Sequence, residues 1–189
     1  MAIVKLAKDG YGQIELNQVA FRRDGRIEAQ CRLDPEEFPA DGSYVAENGM
    51  CFAIDTAKRL LHCAADEYAG KCIFGINYSA EHMYDERKMS LKDFYLTGGE
   101  DFLPRVGYLA AGDKFTTNTV CYDSDAYADL DAVVTAMETA TVYAGYASDN
   151  SGYWQLVKAA PANGPVLKVV EVTTMPDGQA GIKFQCVKA

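Results

Sequence analysis

Histidine is scarce in this chain, which limits the catalytic chemistry available to it. Only His62 and His82 occur in 189 residues. His62 precedes Cys63 directly, and neighbouring residues of a strand point to opposite faces, so these two cannot act as a base and its nucleophile. His82 lies in the polar stretch SAEHMYDER, which is typical of a solvated loop. Because the HExxH, P-loop, GxGxxG and GxSxG motifs are also missing, we expect no enzymatic activity and no cofactor.

Closely spaced cysteines are missing as well. The six cysteines lie at least nine residues apart and form no CxxC pair, whereas a structural zinc site needs short paired spacings. Cys31 lies on the apolar face of its predicted strand, and Cys186 continues the alternating apolar positions Ile182 and Phe184, so both are typical of small core residues. We therefore expect free thiols and no metal site.

Neither a leader nor a membrane span is indicated. The opening stretch MAIVKLAKDGYGQ has no apolar core like that of a signal peptide, and no run of 18 apolar residues occurs. Together with free thiols, these features favour synthesis in a reducing cytoplasm and argue against a membrane partner.

The charge is unevenly spread along the chain. The 18 basic and 27 acidic residues give a net charge of −9, but residues 1–32 carry six basic and four acidic residues, hence +2, which leaves −11 for the remainder. An acidic body repels phosphate, so we expect no nucleic-acid partner. The basic N-terminal stretch suits an acidic partner or the body of a neighbouring copy, although a six-to-four balance is also ordinary scatter.

Alternating apolar and polar residues predict a strand-rich fold. In RIEAQCRL (26–33), Ile27, Ala29, Cys31 and Leu33 alternate with polar residues, and the preceding Asp24-Gly25 is a strong hairpin signal. We therefore predict that 19–22 and 26–33 pair antiparallel. Further short strands are predicted at 50–56, 60–64, 71–78, 103–109, 114–122, 141–147, 153–158, 166–174 and 180–187.

A single convincing helix is predicted at 124–139. Leu130, Val133, Val134 and Met137 recur at helical spacing, and the stretch contains no Gly or Pro. The acidic run that begins at Asp123 does not match a calcium-binding EF-hand loop, because the required Gly and Glu positions hold Ala128 and Val134. We expect Asp123, Ser124 or Asp125 to cap the helix instead, since acids are favoured in its first turn.

These patterns predict a mainly β protein, an antiparallel barrel or sandwich with one short helix. Residues 1–16 form an extended N-terminal arm, 17–189 form the β-rich domain, and 79–102 form a loop-rich insertion or subdomain. The arm either pairs with a neighbouring copy or with its own sheet, and the sequence leaves both open. The candidate contact residues with a partner are Ile3, Val4, Lys5, Leu6, Tyr11, Ile14, Leu16, Arg22, Arg23 and Arg26.

Three stretches resemble small virion proteins encoded beside the major capsid protein in tailed bacteriophages. They are GYGQIELNQVAFRRDGRIEAQ (10–30), NYSAEHMYDERKMSLKDFYL (77–96) and LPRVGYLAAGDKFTTNTVCYD (103–123). GDKFTTN (112–118), followed by VYAGYA (142–147), is similar to the β-barrel part of capsid decoration, or cement, proteins. The resemblance implies a non-enzymatic protein on the capsid surface that binds the major capsid protein across capsomer boundaries and forms a symmetric homo-oligomer such as a trimer.

Two alternatives remain open at this point. The chain is another virion component, such as a head-fibre base or a tail protein, although it has no heptads or repeats of the kind that build fibre stalks. It is otherwise a carbohydrate-binding β-sandwich, with Tyr143, Tyr146, Tyr153 and Trp154 as stacking platforms.

Overall fold

A computed structural model describes residues 2–8, 11–79 and 103–189. In these ranges the chain is mainly β and forms two sheets, so the predicted fold class is confirmed. Most of the predicted subdomain at 79–102, and His82 with it, lies outside the described residues. No helix in the described part of the chain is both long and apolar enough to cross a membrane.

The larger sheet has eight strands in the order β1-β10-β12-β11-β13-β14-β9-β2. Its strands are antiparallel neighbours except for β10 and β12, which run parallel. The strands are β1 (Ile3–Lys5), β2 (Ile14–Gln18), β9 (Lys114–Thr117), β10 (Val120–Asp123), β11 (Tyr143–Tyr146), β12 (Trp154–Val157), β13 (Val166–Thr174) and β14 (Ala180–Lys188).

The smaller sheet has six strands in the order β3-β8-β7-β5-β6-β4. Here β4 and β6 are the parallel pair, and the other neighbours are antiparallel. The strands are β3 (Ile27–Glu28), β4 (Arg32–Leu33), β5 (Cys51–Asp55), β6 (Leu60–Cys63), β7 (Ile73–Asn77) and β8 (Val106–Tyr108).

Chain connectivity requires both sheets to curl. Strands β9 and β10 are five strand spacings apart, about 24 Å across a flat sheet, yet Thr117 and Val120 lie at most about 11 Å apart along the chain. Likewise β3 and β4 form the two edges of the smaller sheet, although Glu28 and Arg32 lie at most about 14 Å apart. A flat sheet cannot satisfy either distance, and one of the two sheets is correspondingly a curled half-barrel.

A polar seam holds the loop between β1 and β2 against the body of the protein. Asn118 is fully buried; its side-chain oxygen accepts the Gln13 N–H at 2.7 Å, and its amide donates to the Tyr11 carbonyl at 3.0 Å. The buried Glu47 carboxylate accepts the Gly12 N–H and, at 3.0 Å, the Tyr153 hydroxyl. Buried polar groups are stable only when they are hydrogen-bonded, and these contacts meet that need where the loop 6–13 crosses the β9–β10 connection.

The predicted hairpin around Asp24-Gly25 is wrong. Residues Ala20–Asp24 form a short helix, α1, which ends at Gly25 with a left-handed φ of 67°. That conformation suits the end of a helix as well as a hairpin turn. Phe21 is fully buried from this helix and stacks obliquely on Tyr78 at 5.1 Å, and its burial decides between the two structures.

The regular strand predicted at 26–33 is divided into two. Ile27 and Glu28 pair with β8, whereas Arg32 and Leu33 pair with β6 at the other edge of the smaller sheet. Between them the Glu28 carboxylate accepts the Gln30 N–H at 2.7 Å, and Ala29 is exposed rather than buried. The predicted strand 114–122 is similarly divided at Asn118-Thr119 into β9 and β10.

The predicted helix at 124–139 is shorter in the structure. It runs over Leu130–Thr139, here α2, and its N-cap is Asp129, whose carboxylate accepts the Ala132 N–H at 2.8 Å. Residues 124–129 turn instead, because the Asp123 carboxylate accepts the Asp125 N–H at 2.9 Å. The acids do cap the helix, but the cap lies later than the predicted candidates.

Two apolar clusters form the core. In the first, Phe115 lies 6.0 Å from Trp154 and 5.7 Å from Phe184. In the second, Phe38 meets Phe52 edge to face at 5.7 Å. Each cluster contains residues of both sheets, so the sheets are held together by shared apolar packing.

Candidate functional site

The predicted contact residues of the N-terminal arm lie on the two edge strands of the larger sheet, β1 and β2, and in the loop 6–13 between them. Strand β1 pairs with β10 of the same chain, through Ile3 with Asp123, Val4 with Tyr122 and Lys5 with Cys121. Ile3 is half-buried against the second core cluster, whereas Val4 and Lys5 are exposed. The first strand therefore presents Val4 and one edge of its backbone to the outside.

The rest of the arm is partly used inside the chain. Leu6, Ile14 and Leu16 are half-buried and pack against the first core cluster. Tyr11 is 40% exposed. Of these four predicted contact residues, Tyr11 offers the most surface to a partner.

The three predicted arginines lie together at helix α1. Arg22 and Arg23 occupy its last turn and Arg26 follows its Gly25 cap, and all three are exposed. Arg23 pairs with its neighbour Asp24 at 3.0 Å, a surface contact of small energetic value. Since α1 follows β2, these arginines lie at the opposite end of the strand order from β1.

A pocket that the sequence did not predict lies next to β1. It has a volume of about 530 Å³ and is open to solvent. Its walls come from β1, the loop 34–49, the end of β6 with the 3₁₀ turn Asp66–Tyr68, and the loop 148–152. Its lining residues are Lys5, Glu37, Tyr44, Cys63, Ala65, Glu67, Tyr68, Asp149, Asn150 and Ser151. Three carboxylates and one ammonium make this pocket acidic.

Glu37 connects the pocket to the end of β6. Its Oε2 accepts the Cys63 backbone N–H at 2.6 Å, and its Oε1 accepts the Tyr68 hydroxyl at 3.2 Å. The same Oε1 lies 3.2 Å from His62 Nδ1. Glu37 is thus held in one orientation by three groups.

His62 lies behind Glu37 and contacts a second carboxylate. Its Nδ1 is 2.9 Å from Asp34 Oδ2, and its ring stacks on Tyr68 with centroids 4.6 Å apart. Its side chain is 5% exposed, and its Nε2 has no hydrogen-bond partner in the described structure. Asp34, Glu37 and His62 therefore form a carboxylate–imidazole cluster beside the pocket.

The thiols are poor nucleophiles. All six cysteines are free, and five are buried, including Cys31 and Cys186 as predicted. Burial raises the pKa of Cys31 to about 11 and that of Cys186 to about 12. In the pocket, burial and the Glu37 carboxylate raise the pKa of Cys63 far above its usual range. Because the thiolate is the reactive form, Cys63 lacks the activation of a catalytic cysteine.

Sequence reasoning missed the cluster because its parts are separated in the chain. In the sequence the nearest reactive neighbour of His62 is Cys63, whereas Asp34 and Glu37 lie more than 20 residues away in the loop segment DPEE, which follows β4. The parallel pairing of Arg32 with Leu60 and Leu33 with Leu61 brings that loop beside His62. No spacing motif marks such a pairing in advance.

Comparison of the chain with known protein families, with curated proteins and with solved structures found no match in any of the three.

Proposed function

We propose that this chain is a non-enzymatic structural protein of a tailed-phage particle, a capsid auxiliary or decoration protein. In this proposal it binds the outer shell across capsomer boundaries and stabilises the shell. Its partners are the major capsid protein and further copies of itself, in a symmetric oligomer such as a trimer. The chain is made in the bacterial cytoplasm and acts on the capsid surface.

The observation that carries the proposal is the position of the N-terminal segment. Strands β1 and β2 form both edges of the eight-stranded sheet. An edge strand has backbone N–H and C=O groups that another chain can pair with. Val4 and Tyr11 add exposed apolar surface to this segment, as a contact with a neighbouring subunit requires.

The charge distribution supports adhesion to a protein rather than to nucleic acid. The exposed Arg22, Arg23 and Arg26 lie within the basic first 32 residues, and the rest of the chain carries −11. Such an asymmetry favours contact of the basic N-terminal stretch of one copy with the acidic remainder of another copy, or with an acidic shell. A stable interface buries about 1,200–2,000 Å² in total, which an edge strand and its flanking loops supply more readily than a pocket does.

The aromatic residues support the carbohydrate alternative poorly. Trp154 and Tyr153 are fully buried, and the Trp154 indole N–H donates to the Gly49 carbonyl at 2.7 Å. Neither ring has a free face on which a sugar can stack. Tyr143 and Tyr146 are half-buried, and the Tyr146 hydroxyl donates to Asp66 at 2.7 Å.

Binding to shells that lack the protein tests the proposal directly. Empty shells are prepared from a phage that encodes this chain, with its gene deleted, and incubated with the purified protein. We expect the protein to co-sediment with assembled shells, not with free capsid subunits, and to raise the melting temperature of the shells. Failure of both co-sedimentation and stabilisation would overturn the proposal.

A substitution at the β1 edge sharpens this experiment. Val4→Asp places a charge on the exposed edge strand, and we expect it to weaken shell binding by at least about tenfold, about 1.4 kcal/mol. Val187→Asp is the matched control, since Val187 is also an exposed strand valine but lies in β14, away from the N-terminal segment. Equal binding by both variants would exclude β1 from the interface.

A further inference from the structure

The cluster of Asp34, Glu37 and His62 has the geometry of a small metal site. His62 Nδ1 lies 2.9 Å from Asp34 Oδ2 and 3.2 Å from Glu37 Oε1. One ligand atom from each of the three residues lies within 4.8 Å of the other two. Metal–ligand bonds of about 2.0–2.2 Å place neighbouring ligands about 3 Å apart, so an ion needs only small side-chain movements to bind.

The remaining carboxylate oxygens hold the ligand atoms in place. Asp34 Oδ1 accepts the Glu36 N–H at 2.9 Å, and Glu37 Oε2 accepts the Cys63 N–H at 2.6 Å. The opposite oxygen of each carboxylate is thereby directed at His62. Hydrogen bonds of this kind orient the ligands of metal sites.

The cluster has two negative groups facing one buried imidazole. The ion pairs of Asp34 and Glu37 in the described structure are made with His62 alone. The His62 side chain is 5% exposed; among the described residues its Nε2 has no hydrogen-bond partner, while its Nδ1 faces the two carboxylates and its ring stacks on Tyr68. Metal ligands bind through atoms that carry no proton, so as ligands the two carboxylates and the imidazole contribute a total charge of −2, which a divalent cation compensates.

We propose that Asp34 Oδ2, Glu37 Oε1 and His62 Nδ1 bind a divalent first-row transition-metal ion such as Zn²⁺ or Mn²⁺. The nitrogen ligand favours these ions over Ca²⁺ and Mg²⁺, which prefer oxygen ligands. Glu37 also lines the 530 Å³ pocket, so the ion has a route from solvent, and water fills its remaining positions.

The ion would act as a clamp on the smaller sheet. Asp34 directly follows the edge strand β4, whose two residues pair with β6, and His62 lies on β6. An ion bound to both ties this short edge to its neighbour. An ion that binds only the folded chain stabilises it in proportion to the logarithm of its concentration over Kd.

Titration of the purified chain with MnCl₂ and with ZnCl₂ tests the proposal without any shell-binding assay. We expect one saturable site by calorimetry and a higher melting temperature, both reversed by EDTA. In Glu37→Gln we expect at least a tenfold loss of affinity, because the single amide oxygen still accepts the Cys63 N–H and the NH2 group that then replaces Oε1 is a hydrogen-bond donor, not a metal ligand. Glu67→Gln is the matched control, since Glu67 lines the same pocket outside the cluster, and we expect unchanged affinity.

Cobalt distinguishes this site from binding by cysteine. We expect Co²⁺ to give the weak visible bands of nitrogen and oxygen ligands and none of the intense near-ultraviolet absorption of a thiolate complex. Absence of a saturable site would overturn the proposal, as would equal losses in the Glu37 and Glu67 variants or a thiolate spectrum. In those cases His62 Nδ1 serves as a hydrogen-bond partner of the two carboxylates, and the cluster binds no ion.

Discussion

Two regions of the molecule are each organised around a carboxylate, and they differ in what surrounds it. At the seam of the larger sheet, Glu47 is 4% exposed and accepts from the Gly12 N–H and the Tyr153 hydroxyl. At the edge of the smaller sheet, the Glu37 side chain is 29% exposed and faces both His62 and an open pocket. The Glu47 carboxylate is used up by hydrogen bonds inside the fold, whereas the Glu37 carboxylate remains accessible to a ligand from the pocket.

The difference shows that a buried acid does not by itself indicate a functional site. Glu47 accepts hydrogen bonds from the Gly12 N–H and the Tyr153 hydroxyl. Folding removes these donors from water, and the role of Glu47 is to replace the water as their acceptor. Glu37 is held by Cys63 N–H and Tyr68 but still directs an oxygen toward His62 and Asp34. Solvent access and a second converging carboxylate separate the two cases.

Overpacking the seam should have the largest effect. Gly49 has a φ of 85°, and a Cβ there would collide with the hydroxyls of Thr117 and Thr119. We expect Gly49→Ala to lower the free energy of unfolding by about 4 kcal/mol, from backbone strain together with the clash. Gly70→Ala is the control, because Gly70 has a φ of 75° but open space around it, and should cost about 1 kcal/mol. Similar urea midpoints for the two variants would show that the seam is loosely packed.

Removal of the seam carboxylate should have the next largest effect. Glu47→Ala leaves the Gly12 N–H and the Tyr153 hydroxyl without their acceptor, and we expect a loss of about 3 kcal/mol in chemical denaturation. A loss below about 1 kcal/mol would mean that water replaces the carboxylate and that the seam is not closed.

The buried thiols make the free energy of unfolding depend on pH. Burial raises the pKa of Cys121 from its ordinary 9.0 to about 12, so this thiol stays protonated in the folded chain while the unfolded chain ionises. Its contribution to stability is therefore intact below pH 9 and is lost as the pH rises toward 12. Between pH 7 and pH 10 we expect the wild type to lose about 1.4 kcal/mol more than Cys121→Ala.

The half-buried Cys72 provides the control for that measurement. Its pKa is also raised, through burial and the nearby Asp55 carboxylate, but it is the one cysteine that is not fully buried. Urea midpoints of Cys72→Ala should therefore follow the wild type more closely between pH 7 and pH 10. Identical pH profiles for both variants would contradict the burial argument.

The smallest expected effect is at the cluster. In EDTA, Glu37→Gln should change the free energy of unfolding by less than about 1 kcal/mol, because the amide oxygen replaces the carboxylate as acceptor and the site is partly solvated. Thermal denaturation of Glu37→Gln beside Glu47→Gln measures the contrast. A larger loss at position 37 than at position 47 would reverse the roles assigned to the two acids.

Most strands were predictable because alternation and turn residues are local signals. The strand predicted at 166–174 is β13 as it stands, and those at 50–56, 60–64 and 153–158 match β5, β6 and β12 within two residues. The failures are at 19–33 and 114–122, where local patterns were compatible with two structures. The structure that forms is set by the burial of Phe21 and by the pairing of β3 with β8 and of β4 with β6. Both depend on residues distant in the chain.

The candidate site was less predictable than the fold. The exposed positions of Val4, Tyr11 and the three arginines agree with a surface role, whereas Leu6, Ile14 and Leu16 pack into the chain's own core. The carboxylate–imidazole cluster could not be foreseen, because its members become neighbours only through the parallel pairing of β4 and β6.

The sequence by itself determined the class of fold, the free thiols of the core and the acidic body with its basic N-terminal stretch. Those properties follow from composition and from period-two alternation, which act within a few residues. Only the tertiary structure decided which strands become edges, where Glu47 and Glu37 lie, and that His62 meets two carboxylates. Such contacts join residues far apart in the chain, and their stability depends on how both sheets curl around the shared cores.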